Sequence, residues 1–92
     1  MKSIYKVPGG KLIKIQLELA DDLIASIQIF GDFFLHPEDT LEIIEHALIG
    51  ARLEEDIFTD LIEDVLEQSK ATLIGASPKD IAQAIHLALN SE

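Results

Sequence analysis

Two alternating stretches in the first third of the chain predict a β-hairpin. Over residues 13–19 every second residue is apolar, and lysine, glutamine or glutamate lies between them. The alternation returns with Ala25, Ile27 and Ile29 on one face and polar residues on the other. A period of two is typical of a half-buried strand, and the polar break at residues 20–22 suits a hairpin turn.

A candidate third strand precedes the hairpin. Ile4, Tyr5 and Val7 supply its apolar residues, and the Pro-Gly-Gly sequence at residues 8–10 separates it from the hairpin, since proline and glycine interrupt regular structure. An isolated hairpin is marginally stable in water, so we expect an apolar layer to cover one face of these strands.

Three amphipathic segments in the remainder of the chain predict helices. The first begins near Pro37, because proline is favoured in the first helical turn, and ends near Gly50, which tolerates a left-handed conformation. The second spans about residues 54–68, with an apolar stripe on one side and acids opposite. Ser77 and Pro78 give the third helix an N-cap and a first residue.

The order of these elements indicates the fold class. Strands come first and helices follow, and residues 72–76 are expected to form a connector. Segregated strands and helices are typical of an α+β domain. We therefore predict one domain of residues 1–92, in which three helices cover one face of a small antiparallel sheet.

Composition and charge restrict the classes of function. The chain has no cysteine and a formal net charge of −10. Disulfides, thiolate metal sites and cysteine nucleophiles are thereby excluded, and a cytoplasmic location is expected. The negative field disfavours nucleic acid and anionic lipid, so we expect a protein partner of basic character. With no apolar run of membrane-spanning length and no secretory signal, no membrane contact is expected.

The basic and acidic residues are unevenly placed. Lys2, Lys6, Lys11 and Lys14 are four of the seven basic residues, whereas residues 38–67 hold eleven acids. Two interpretations remain. The acids form solvated helix faces, or a basic end and an acidic flank orient the module on a partner.

The Gly9-Gly10-Lys11 sequence invites comparison with a phosphate-binding loop. That motif requires a glycine further upstream, a hydroxyl residue after the lysine and a following helix. Leu12 takes the hydroxyl position here and a strand follows. An independent phosphate-binding loop is therefore disfavoured, and a turn before a strand is predicted.

The other polar residues do not form a catalytic or metal-binding pattern. Of His36, His46 and His86, only His46 has an acid, Glu42, one helical turn away, and a metal site needs more converging ligands. Ser77 is explained as a helix cap, and no serine follows the pattern of an activated nucleophile. We predict neither catalytic nor metal-ligating residues.

Residues 29–34 concentrate three of the four phenylalanines around a Gly31-Asp32 break. In one interpretation these aromatic side chains pack in the core at a corner, with Asp32 accepting hydrogen bonds from nearby backbone N–H groups. In the other, Phe33 and Phe34 belong to an apolar patch offered to a partner or an acyl chain.

The Gly-Gly-Lys-Leu motif at residues 9–12, the Gly-Asp-Phe motif at residues 31–33 and a helix ending at Gly50 occur in this order. Together they resemble the C-terminal domain of lipoate–protein ligases, over nearly the whole chain. The resemblance implies a fold similar to iron–sulfur scaffold and sulfur-acceptor proteins, although those proteins use cysteines that this chain lacks.

The resemblance also implies a role in protein lipoylation. In this family, ATP and lipoate give lipoyl-adenylate and pyrophosphate, and the acyl group then passes to a lysine of a lipoyl-carrier domain, as in 2-oxoacid dehydrogenases or the glycine cleavage system. The large catalytic domain binds lipoate, ATP and Mg²⁺. The small domain is needed for adenylation, changes position during the cycle, and is a separate polypeptide in some organisms.

The catalytic domain of that family has no counterpart in these residues. We therefore expect a separately encoded accessory subunit, inactive alone and binding no cofactor by itself, which forms a heterodimer with a large catalytic subunit. A lysine close to a triphosphate stabilises negative charge. The residues expected to face the partner's site are, first, Gly9, Gly10 and Lys11 and, second, Gly31, Asp32, Phe33 and Phe34.

Two other functions have some support in the sequence. The first alternative is a non-catalytic interaction module unrelated to lipoylation, which binds through the hairpin edge or the aromatic corner. The second is a small acyl-carrier type of protein, suggested by the acidity and the helices. It is disfavoured because the chain has no Asp-Ser-Leu attachment site and begins with strands.

Overall fold

The computed structural model describes residues 1–91 and contains five strands and three helices in that part of the chain. The strands are β1 (Lys2–Lys6), β2 (Leu12–Ala20), β3 (Leu23–Gly31), β4 (Phe34–His36) and β5 (Thr72–Ile74). The helices are α1 (Thr40–Leu48), α2 (Glu55–Gln68) and α3 (Pro78–Leu89).

Strands β1, β2 and β3 form an antiparallel sheet with β2 in the centre. The predicted hairpin and the candidate third strand are both confirmed. Ile13, Ile15 and Leu17 point to the inner face and are at most 2% exposed, whereas the residues between them are exposed. The alternation in β2 therefore sorts its side chains onto two faces, as a period of two requires.

A β-bulge interrupts the pairing of β2 with β3. Glu18 lies opposite Ser26, but Leu19 lies opposite Ile24, so β3 has one additional residue, Ala25. Ala25 is exposed and Ile24 is buried. The prediction that Ala25 shares a buried face with the isoleucines of β3 is wrong, because a bulge shifts the alternation by one position.

The helices form a layer on the inner face of this sheet. α3 contacts β1 and β2, α1 contacts β3, and α2 packs against both other helices. The α+β prediction is confirmed, with helices on one face only. No helix of residues 1–91 is long and apolar enough to cross a membrane.

The second and third helices agree with their predicted limits. α3 begins with a capping box, in which Ser77 Oγ accepts from the Asp80 N–H (3.2 Å) and an Asp80 carboxylate oxygen accepts from the Ser77 N–H (2.9 Å). These two bonds satisfy backbone donors that a helix start leaves unpaired.

A two-stranded sheet formed by β4 and β5 was not predicted. Phe34 pairs with Ile74 and His36 with Thr72, so residues 72–76 are more than a connector. Because β4 uses residues 34–36, α1 begins later than predicted, at Thr40, and Pro37 precedes the helix.

Other parts of the chain occupy the β3 edge of the three-stranded sheet. The Ile29 N–H donates to Glu45 Oε2 in α1 (2.7 Å), and the Gly50 N–H donates to the Ile24 carbonyl (2.7 Å). Since these contacts take up backbone groups of β3, little of this edge remains for an added strand from a partner. At β1, the Ser3 side chain donates to the Ala84 carbonyl in α3 (2.7 Å) and ties the strand to that helix.

Candidate functional site

The two groups of candidate residues lie together at one end of the three-stranded sheet. The Leu12 N–H donates to Asp32 Oδ1 (2.8 Å), and the Asp32 N–H donates to the Leu12 carbonyl (3.4 Å). These bonds join the β1–β2 turn to the end of β3. The expectation that Asp32 accepts a hydrogen bond from a nearby backbone N–H is confirmed.

The β1–β2 turn has a tightly bonded base and an open tip. The Val7 N–H donates to the Lys11 carbonyl (2.7 Å), and the Gly10 N–H donates to the Val7 carbonyl (2.9 Å). Gly9 and Gly10 have φ of +105° and +121°, which only glycine adopts at small cost. A Cβ at either position would have no neighbour within 4 Å, so another molecule can approach this backbone closely.

Lys11 lies across Gly75, which sequence analysis did not single out. A Cβ on Gly75 would lie 2.9 Å from Lys11 Cγ and 3.2 Å from Lys11 Cε. The missing side chain at Gly75 therefore leaves the space that the lysine stem occupies. The only available signal was a glycine shortly before a capped helix, because the contact joins distant parts of the chain.

The ammonium group of Lys11 is not neutralised by an ion pair. In residues 1–91, an ion pair joins Arg52 to Glu54 (2.8 Å) and His86 lies 3.7 Å from Glu55, and both contacts are remote in sequence from the turn. Lys11 itself is exposed. It therefore presents a full positive charge beside the open backbone of the glycine turn.

The aromatic segment is largely at the surface. Phe34 is 55% exposed and its cross-strand partner Ile74 is 59% exposed, while Phe33 is half-buried. The ring of Phe33 lies over Gly31, where an added Cβ would also come within 2.7 Å of the Leu12 carbonyl. The interpretation that Phe34 packs in the core is therefore wrong, and its exposure agrees with the surface-patch interpretation.

We call this region the turn surface and define it by the seven candidate residues and two residues of the neighbouring strand and loop. It comprises Gly9, Gly10, Lys11, Gly31, Asp32, Phe33, Phe34, Ile74 and Gly75. It offers an unneutralised cation, an open backbone and exposed apolar side chains. Among residues 1–91, no three His, Asp or Glu side chains are placed to share a metal ion.

Comparisons with known proteins give one consistent result. Residues 2–85 match the family described as the bacterial lipoate protein ligase C-terminus. The chain is 37% identical over 83 residues to a protein named lipoate-protein ligase A subunit 2 from Thermoplasma acidophilum, covering 90% of this chain and 84% of that protein. It also matches a chain of the structure of a bipartite lipoate protein ligase and its E2 lipoyl domain from the same organism, with a TM-score of 0.78, 34% identity and 92% of each chain covered.

Proposed function

Because the chain belongs to the family of lipoate protein ligase C-terminal domains, we propose that it is the accessory subunit of a two-component lipoate–protein ligase. Its partner is a large catalytic subunit, with which it forms a heterodimer that activates lipoate with ATP. The products of the complete reaction are lipoylated carrier domains. We also propose a cytoplasmic location, which the absence of cysteine supports.

The observation that carries this proposal is the extent of the similarity to a separate ligase subunit. The alignment includes most of both proteins, 90% of this chain and 84% of the Thermoplasma subunit. The turn surface adds a chemical argument. Lys11 and the open glycine backbone can bind negative charge, while the Asp32 carboxylate accepts the Leu12 N–H, and this arrangement suits a role in completing another subunit's site.

In the proposed complex, the large subunit holds ATP, Mg²⁺ and lipoate, and the ATP supplies the adenylyl group. Lys11 approaches the phosphates and stabilises the charge that develops as pyrophosphate leaves. The glycine backbone of the turn permits this close approach, because no side chain intervenes. The exposed ring of Phe34 covers the site and excludes water, which strengthens the electrostatic effect of the lysine.

Reconstitution of lipoylation tests this proposal. The large subunit from the same organism is incubated with ATP, Mg²⁺, lipoate and a lipoyl-carrier domain, with and without this chain. We expect the carrier to gain the mass of one lipoyl group only when both subunits are present. Equal modification without the chain would contradict the proposed function.

Replacing Gly75 with alanine should displace Lys11 without removing it. The added Cβ lies 2.9 Å from Lys11 Cγ, so the flexible stem must move. We expect lipoyl-adenylate formation by the reconstituted ligase to fall about 10- to 100-fold, since misplacing an active-site group by about 1 Å can cost up to about 100-fold. The rate is measured by pyrophosphate release with the chain in saturating excess.

Gly50→Ala is the matched control for this prediction. Gly50 has a φ of +82°, similar to the +95° of Gly75, but a Cβ at Gly50 would meet nothing within 4 Å. Both variants therefore pay the backbone strain of a left-handed alanine, about 1–2 kcal/mol, and only Gly75→Ala displaces Lys11. Equal rates for the two variants would show that Gly75 does not position the lysine.

A further inference from the structure

We propose that the outer face of the three-stranded sheet binds the large subunit, at a surface that places apolar side chains against Ile4 and Phe30 and carboxylates against the lysines of the face. This inference rests on the proposed function and assigns the contact surface that the function requires. The outer sheet face is the side of the sheet that the helices leave uncovered. Its residues are Lys2, Ile4, Lys6, Leu12, Lys14, Gln16, Glu18, Ser26, Gln28 and Phe30.

Two exposed apolar side chains, Ile4 and Phe30, flank Lys14 in the middle of the outer sheet face. Ile4 pairs with Lys14, and Lys14 pairs with Phe30, so these three side chains form one row across all three strands. Ile4 is 66% exposed and Phe30 is 49% exposed. The row lines a shallow groove of about 700 Å³. Exposed apolar side chains that lie together, with charged groups around them, are typical of protein-binding surfaces.

The charge of this face is opposite to that of the whole molecule. Lys14 lies between Ile4 and Phe30, Lys2 and Lys6 lie on either side of Ile4 along β1, and Glu18 is the acid on the face, although the net charge of the chain is −10. Total charge led us to expect a basic partner. The local charge instead favours carboxylates on the surface that contacts this face, because binding surfaces carry complementary charge.

The same charge argues against a second copy of the chain as the occupant. A symmetric contact between two outer sheet faces would bring the three lysines of one copy close to those of the other. Like charges placed together across an interface are unfavourable. A different protein, with carboxylates placed opposite these lysines, fits the face better.

The size of the face connects it to the turn surface. The nine-residue strands β2 and β3 are about 30 Å long and the five-residue β1 is about 16 Å long. With strands about 4.8 Å apart, the face measures roughly 370 Å². A partner contributes about 800 Å² to a standard interface, so we expect the contact to extend beyond the sheet. The β1–β2 turn lies next to Lys6 and Leu12, and the extension therefore brings Lys11 towards the partner's site.

The test is calorimetric titration of the large subunit with variants of the full chain. Two variants change the outer sheet face. Lys14→Glu reverses a charge. The double variant Ile4→Thr, Phe30→Thr replaces both exposed apolar side chains with threonine, which suits strands. We expect each to weaken binding at least about 30-fold, the scale of an interface hot spot. Raising the salt from about 0.05 M to about 0.5 M should also weaken wild-type binding.

The controls change the helical side by the same chemistry. Lys79→Glu at the start of α3 alters the net charge as much as Lys14→Glu does. Ile43→Thr in α1 shortens a side chain that is 48% exposed, nearly the same exposed fraction as the 49% of Phe30. Both should bind like wild type, and circular dichroism verifies that every variant is folded.

The outcomes separate this inference from the proposed function. If wild type binds the large subunit and the folded sheet-face variants bind equally well, the inference is wrong and the function stands. If wild type itself does not bind, both are wrong.

Discussion

Replacing Lys11 with alanine should slow lipoyl-adenylate formation by the reconstituted ligase about 100- to 1000-fold, the usual cost of removing one charge-stabilising donor from an active site. The exposed ammonium of Lys11 has no ion-pair partner in residues 1–91, so the truncation leaves no buried acid unpaired. The loss should therefore appear in the reaction rate, with the fold unchanged. Pyrophosphate release is measured with the chain in saturating excess over the large subunit.

Lys79→Ala is the matched control for this prediction, because Lys79 is also an exposed lysine but lies in the first turn of α3. We expect its rate to equal that of wild type. The affinity of the complex for ATP, measured by calorimetry, gives a second readout and should fall for Lys11→Ala only. Full adenylation activity in Lys11→Ala would remove the role that we assign to this lysine.

Replacing Phe58 with alanine should destabilise the fold by about 3–5 kcal/mol. Phe58 is completely buried, in the helix that packs on both other helices, so the substitution leaves a cavity in the centre of the helical layer. A domain of this size has a total stability of about 5–14 kcal/mol. The loss is thus a large part of the total, and a substantial fraction of the variant unfolds in mild denaturant.

The same deletion at an exposed position should cost much less. Phe34 is 55% exposed, and Phe34→Ala removes its cross-strand pair with Ile74 and its stacking on His36 (ring centroids 6.3 Å apart), together worth about 1 kcal/mol. Urea unfolding followed by circular dichroism compares the two variants. If they lose equal free energy of unfolding, the burial that distinguishes these phenylalanines in the structure is not present in solution.

Local signals were sufficient for the longer elements. The 14-residue α2 has several turns over which its apolar stripe repeats, and Ser77, Pro78 and Asp80 define the start of α3 through contacts within four residues. In the hairpin, the alternation over residues 13–19 determined which side chains are buried. The sequence therefore predicted the limits of α2 and α3 and the placement of the helices on one side of the sheet.

Non-local contacts determine the features that local sequence patterns did not predict. β4 and β5 have three residues each, too few for a periodic signal. They are also separated along the chain by α1 and α2. The bulge at Ala25 similarly depends on the register between two strands. Neither feature changes the hydrophobic pattern enough to be recognised beforehand.

Some features of the candidate site were predictable from residue types, and others depend on non-local contacts. Its residue types predicted that Gly9 and Gly10 form a turn and that Asp32 accepts a backbone hydrogen bond. The identity of the donor, Leu12, follows from the strand register. Gly75 was missed because its contact with Lys11 forms only when the β5–α3 loop lies beside the β1–β2 turn.

The central proposal is that this chain catalyses no reaction by itself and is required by the large subunit for the activation of lipoate. Pyrophosphate release from ATP and lipoate is measured for the chain alone, the large subunit alone and their mixture. We predict background rates for each separate protein and rapid release from the mixture. Lipoyl-adenylate formed by the chain alone, or formed at the full rate by the large subunit alone, would contradict the claim.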